Sequence, residues 1–163
     1  MALSENEKKY FMKEAIYEAI QAERIGEVPI GCVIVWKGKI ISRGHNLREH
    51  SQNATMHAEL LAIQEANDAV GSWRLPEAQL FVTLEPCPMC SGAIINARVK
   101  EVYYGAPDPK AGTVGTLMNL LTDKRFNHQV KVEQGLLKEQ CARLLKNFFK
   151  QIRKRRKQQK KIK

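Results

Sequence analysis

Residues 84–94 read LEPCPMCSGAI, and this stretch decides how the chain is organised. A strand-like run ends at Leu84, and a helix-like run opens with Cys87 and Cys90, three residues apart, between and after Pro86 and Pro88. Proline suits a helix start because the amide hydrogen it lacks would have no partner there. Side chains three apart on a helix face the same way, so both sulfurs can touch one ion. The positive end of the helix favours thiolates, the form that binds metal. Working outward, a strand is predicted at Leu80–Leu84, a helix over Cys87–Asn96 and a strand at Val102–Gly105, with a helix over His57–Val70 upstream. Such alternation implies parallel neighbouring strands with helices on both faces of the sheet.

Ser4 and Glu7 form a capping-box pattern ahead of apolar positions at helical spacing, which predicts a first helix over Ser4–Ile25 closed by Gly26. Ile30–Trp36 and Lys39–Gly44 read as two strands joined tightly at Lys37-Gly38. This hairpin adds an antiparallel pair and makes the sheet mixed. APDPKAGTVG, residues 106–115, is a loop by its Pro and Gly content. A short helix over Thr116–Leu121, a strand at Val130–Glu133 and a last helix running from Leu136 into a basic end complete the reading, with no internal repeat and no second domain.

The chain has 163 residues, 44% of them hydrophobic, which fits one soluble domain with an ample core. The first ten residues, MALSENEKKY, have neither a basic leader nor an apolar core. The longest apolar stretch, VPIGCVIVW, is about half the length needed to span a bilayer. A cytoplasmic protein with no membrane segment is expected. Four cysteines are too few and too unevenly placed for a disulfide framework, and Cys32 and Cys141 read as small buried hydrophobes. The net charge is +10, yet eleven Lys or Arg and no acid lie from Gln140 onward, so residues 1–139 carry −1. Basicity confined to one end points to a polyanionic partner, with a disordered solubilising tail as the other reading.

Taken alone, Cys-Pro-Met-Cys suits either a metal or a redox site. The string ATMHAELLAI, residues 54–63, breaks the tie toward metal, because it places His57 and Glu59 at the opening of another helix thirty residues before Cys87. Two helices opening at one sheet edge can bring one imidazole and two thiolates around a single zinc ion. Three protein ligands leave the fourth position for water, which separates a working zinc from a structural one closed by four ligands. Cys32, His45, His50, His128 and Cys141 lack metal-type spacing for that fourth role. His57 and Glu59 point about 200° apart on a helix, so one can hold the metal while the other moves protons beside it.

HAE followed by PCPMC matches the H-x-E and P-C-x-x-C signature of the zinc-dependent nucleobase deaminases. VPIGCVIV, GHNLRE, TLEPCPMCSGAIINARVKEVYYGAPDPKAGTVGTLMNLL and CARLLKNFFKQIR extend the likeness over nearly the whole chain, which resembles the bacterial tRNA-specific adenosine deaminases of the cytidine/deoxycytidylate deaminase superfamily. The resemblance implies a three-layer α/β/α cytidine-deaminase-like fold with a mixed five-stranded sheet, a homodimer, one zinc ion per subunit, and conversion of adenosine to inosine at the wobble position of a tRNA anticodon. Carried over residue by residue, His57, Cys87 and Cys90 would hold the zinc, and Glu59 would be the general acid and base. Asn46 would bond the base, and Val28, Pro29 and Ile30 would wall its pocket. Asp108, Lys110, Phe149 and Arg153 would contact the anticodon loop. Of the adjacent Phe148 and Phe149, one would face the core and one a base. A deaminase domain over 1–152 and a basic C-terminal tail over 153–163 are expected. Two rival readings stand beside this one: a guanine or other free-nucleobase deaminase, and a non-catalytic, zinc-stabilised RNA-binding module. GAPDPKAGTVG and the basic, aromatic-bearing last helix favour RNA, since a small-molecule enzyme would not need them.

Overall fold

The computed structural model describes residues 2–162. Helix α1 spans Glu5–Arg24, and its capping box is complete: the Glu7 amide donates to Ser4 Oγ and the Ser4 amide to Glu7 Oε1, each at 3.1 Å. Strands β1 (Gly31–Trp36) and β2 (Lys39–His45) follow. Lys37 and Gly38 between them have φ of 51° and 80°, the two left-handed residues of a hairpin turn whose twist matches that of the strands. A single helical turn, α2 (Arg48–Ser51), precedes α3 (Ala58–Val70); the sequence reading has no counterpart for it. Then come β3 (Ala78–Leu84), α4 (Pro88–Asn96), β4 (Glu101–Ala106), β5 (Lys131–Gln134) and the 25-residue α5 (Lys138–Ile162). Lys163, the end of the expected tail, lies outside the described residues.

The sheet order is β2-β1-β3-β4-β5, with β1 antiparallel to both neighbours and β3, β4 and β5 parallel. Side chains alternate across it. Cys32, Ile34, Leu80, Val82, Val102 and Tyr104 face a core closed by Ala62, Ile63 and Ala66 of α3 and Ile94 and Ile95 of α4. Val33, Val35, Phe81 and Tyr103 face a second core closed by Phe11, Met12 and Ala15 of α1 and Cys141 of α5. The molecule is therefore the expected α/β/α sandwich around a mixed five-stranded sheet. Cys32 and Cys141 are buried members of these cores. Gly44 of β2 lies directly under α3, where a Cβ would collide with the Ala58 carbonyl and crowd the Ala62 amide.

The expected helix over Thr116–Leu121 does not form. The segment is irregular, closed by an isolated bridge between Val114 and Asn119 and by a bond from the Gly115 amide to the Met118 carbonyl at 2.8 Å. The Val114 and Thr116 amides donate instead to the buried carboxylate of Glu85, at 2.9 and 3.1 Å. The Leu120 amide, which a helix would aim at the Thr116 carbonyl, donates to the Thr113 carbonyl at 2.9 Å, so no helical ladder starts. Among the described residues no helix is long and apolar enough to cross a membrane.

Candidate active site

Two helices open at the same end of the sheet. His57 is the N-cap of α3 and Cys87 the N-cap of α4, both in extended backbone conformation, and neither side chain caps its own helix. Their carbonyls take the first helical bonds, from Leu61 at 3.1 Å and Ser91 at 2.9 Å, while their side chains are left for other work. Cys90 stands in the first turn of α4, with Pro88 at the position that tolerates it. His57 Nδ1 lies 3.7 Å from Cys87 Sγ and 3.6 Å from Cys90 Sγ. A tetrahedral zinc, about 2.0–2.1 Å from nitrogen and 2.3 Å from sulfur, separates N and S by roughly 3.6 Å. Both N–S separations therefore match such an ion, and the three ligand atoms lie within 4.8 Å of one another. Among the described residues no fourth His, Cys, Asp or Glu joins the group.

Glu59, in the first turn of α3, is only 4% exposed. Burial, reinforced by the charge on Cys87, pushes its pKa up to about 7. Cys87 moves the other way: hydrogen bonds from Cys90 and His57 bring its thiol down to about 4. Cys90 is raised by its bond to Cys87 and by burial, and the bond to Cys87 raises His57. The downward shift at Cys87 favours a thiolate, the form of cysteine that binds a soft cation.

His57, Glu59 and Cys87 border a cavity of about 690 Å³, with Cys90 buried behind it. Val28, Ile30 and Asn46 supply one part of its wall; Pro29, between the first two, is buried and does not line it. Asn46 donates to the Val28 carbonyl at 3.3 Å and accepts from the Arg48 amide at 3.1 Å. Each end of its amide keeps one further hydrogen-bonding position. The turn carrying Arg48 is clamped by Glu27, a fully buried carboxylate that accepts from the Glu49 and His50 amides at 3.1 and 2.8 Å and pairs with His50 Nδ1 at 2.9 Å. Burial opposes the charge on Glu27, yet these donors outweigh it and hold the pKa below the usual carboxylate value.

Asp108 and Lys110 line the cavity from the loop after β4, and Leu145, Phe149 and Arg153 line it from α5. The Phe148–Phe149 ambiguity is resolved: Phe148 is 8% exposed and Phe149 43%, the second facing the cavity. Glu85 organises the loop, accepting from the amides of Asp108, Val114 and Thr116 and from the Thr116 hydroxyl. Burial disfavours its charge, but those four donors keep the pKa lowered. Thr113 ties the loop to the cysteine motif, donating to the Pro86 carbonyl at 3.1 Å and meeting Ser91 Oγ at 2.8 Å. Arg48, Glu85 and Leu145 are cavity residues the sequence reading missed. Only Leu145 left a signal, four residues before Phe149 and eight before Arg153.

The family model of the MafB19-like deaminases matches residues 5–153. The tRNA-specific adenosine deaminase of Bacillus subtilis (strain 168) is 57% identical over 147 residues, covering 90% of this chain and 91% of that protein. A solved structure from work on A-to-I editing by tRNA:A34 deaminases at the wobble position of transfer RNA superposes with a TM-score of 0.80 at 42% identity, covering 83% of this chain and 99% of that one. The Bacillus subtilis guanine deaminase is more distant, with a TM-score of 0.60 at 40% identity over 66% of this chain and 69% of that one.

Proposed function

The chain belongs to the MafB19-like deaminases and, within reach of its relatives, to the tRNA-specific adenosine deaminases, and from that membership we propose that it hydrolyses adenosine to inosine at the wobble position of a tRNA anticodon. His57, Cys87 and Cys90 would hold one zinc ion per subunit, which when bound supplies a Lewis acid that lowers the pKa of water. Glu59 takes the proton that water gives up and passes it to N1 of the adenine as the new C6–O bond forms. It then carries the second proton to the departing amine as the C6–N bond breaks, so that inosine and ammonia leave. A carboxyl group held at a dry helix mouth serves in both directions. Asn46 has one free donor and one free acceptor for the base edge, while Val28 and Ile30 give the purine an apolar wall, with Pro29 fixing the turn between them. Asp108, Lys110, Phe149 and Arg153 would hold the rest of the anticodon loop, Phe149 as a stacking surface and Arg153 at a phosphate.

We also place residues 1–152 as the deaminase body and 153–163 as its basic extension, in a cytoplasmic homodimer. The observation that carries the reading is the convergence of His57 Nδ1 with two sulfurs at 3.6–3.7 Å beside Glu59, in a cavity rimmed by a basic, aromatic-bearing helix. The test is ammonia release from an anticodon stem-loop with adenosine at the wobble position, beside free guanine, adenosine and cytidine. Turnover of the stem-loop alone is expected, and efficient turnover of guanine would assign the chain to the free-base branch. Glu59→Ala should retain zinc and RNA while losing about 10²–10⁴-fold in turnover. An unchanged rate removes Glu59 from the mechanism, and no turnover by the unaltered chain leaves a binding module.

A further inference from the structure

The basic end of α5 is more ordered in its arrangement than a solubilising tail needs to be. Leu145, Phe149 and Arg153 line the cavity at intervals of four, so at about 100° per residue they fall within roughly 40° of one direction. Continuing the same helix, Arg156 and Lys160 return to within about 20° of Phe149. Lys154 and Lys161 point roughly 120–140° away, and Gln151 and Gln158 occupy the rear. Another face packs on the body, where Phe148, Gln151, Ile152 and Arg155 border a small cleft against Glu23 and Arg24 at the end of α1. Residues 156–162 are all exposed, and among the described residues Arg153, Arg156 and Lys160 form no ion pair.

We propose that Arg153, Arg156 and Lys160 form a phosphate rail, continuous with the cavity, along which the stem of the RNA hairpin runs while its loop enters the site. The inference rests on the RNA-deaminase reading given above. The three cations span about 10 Å of helix, enough to meet more than one phosphate along a strand of the stem. Unpaired arginines and a lysine in one row make charge-assisted contacts with phosphate oxygens and release counterions. A membrane is a poorer occupant, because the side opposite the cations carries glutamines where an interfacial helix needs an apolar face.

Two double variants with equal loss of charge isolate the geometry: Arg156→Gln with Lys160→Gln on the rail, and Lys154→Gln with Lys161→Gln off it. Glutamine is a good helix former, and circular dichroism verifies that α5 is kept. Both are compared with the unaltered chain on an anticodon stem-loop and on an oligonucleotide holding the loop alone, from roughly 50 to 200 mM salt. The rail pair should raise KM for the stem-loop on the order of tenfold at unchanged kcat, and lower the slope of log affinity against log salt by roughly 1.8, or about 0.9 for each duplex phosphate lost. The off-rail pair, and the loop-only substrate, should move far less. Equal effects of the two pairs, or none, overturn the rail while the unaltered chain's turnover upholds the deaminase reading. Loss of binding to phosphatidylserine vesicles with RNA affinity intact overturns it in favour of a membrane. Failure of the unaltered chain to turn over or bind the hairpin removes both.

Discussion

Replacing Glu85 separates loop order from catalysis. Its Oε1 accepts from the Asp108 amide and the Thr116 hydroxyl, and its Oε2 from the Val114 and Thr116 amides. In Glu85→Gln one oxygen becomes an NH2 group. Placed at the Oε2 position it would confront two N–H donors, so it takes the Oε1 position, where the Thr116 hydroxyl can turn to accept and only the Asp108 bond is lost. A hydrogen bond to a charged acceptor contributes about 1.5–3 kcal/mol, and the variant should lose about 2 kcal/mol. Glu85→Ala removes all four bonds. Val114 is buried and its amide would bear a desolvation cost of about 1–3 kcal/mol, whereas Asp108 and Thr116 reach solvent, so the total is about 3–5 kcal/mol. Urea unfolding measures the stability, and limited proteolysis within residues 107–116 measures the loop directly. Zinc content should stay near that of the unaltered chain. The stem-loop KM should rise more than kcat falls, because the loop carrying Asp108 and Lys110 is what loosens. A Glu85→Ala chain that loses less than about 1 kcal/mol and keeps both its protease resistance and its KM would refute the reasoning.

Other changes test the packing and the charges of the fold. Burial opposes the charge on Glu101, but the Tyr103 hydroxyl and the Gln79 amide outweigh it and lower its pKa. A carboxylate lowered in the fold contributes stability above its unfolded pKa and loses it as pH falls through the folded one. Tyr103→Phe keeps the ring stacked on Phe81, 4.5 Å between centroids, and deletes the donor, so it should cost about 1–2 kcal/mol at pH 7 and progressively less once pH drops into the carboxylate range. A gap between the two urea curves that stays constant with pH contradicts this. Gly44→Ala forces a Cβ into the Ala58 carbonyl, at the turn of α3 that carries Glu59. A loss of about 1–3 kcal/mol in thermal unfolding, with a fall in kcat, is expected, and an unperturbed chain would show that the helix and strand are free to slide apart.

What the sequence made legible follows from how far each signal reaches along the chain. A capping box, a two-residue hairpin turn and the alternation of strands and helices are local devices, and α1, the β1–β2 hairpin and the β3–α4–β4 unit stand within a residue or two of their expected bounds. The grouping of His57 with the two cysteines was legible for a related reason: a set of residues able to hold a metal is restricted in type and spacing at each helix mouth separately. The placement of His57 and Cys87 as N-caps, the first residues of the expected helices and one residue outside the observed ones, is what lets an imidazole and a carboxyl two residues apart border the same cavity.

Glu85 and Glu27 were invisible for the converse reason. The partners of Glu85 lie 23, 29 and 31 residues downstream, and those of Glu27 lie 22 and 23 away, separations at which no periodicity survives. Both are lone acids in otherwise apolar surroundings, and each gathers backbone amides from a segment that carries cavity residues: Arg48 in one case, Asp108 and Lys110 in the other. The same cause explains the one predicted element that is absent. TLMNLL has helical spacing, but Glu85 pins the backbone at Val114 and Thr116, and the Leu120 amide turns to the Thr113 carbonyl rather than to that of Thr116. Buried carboxylates thus decide the shape of the cavity's variable walls, while the sheet and helix mouths decide its chemistry. The two are separable in this chain because different residues bear them: substitutions at Glu27 or Glu85 should alter which substrates are held, and substitutions at His57, Glu59, Cys87 or Cys90 whether anything held is converted.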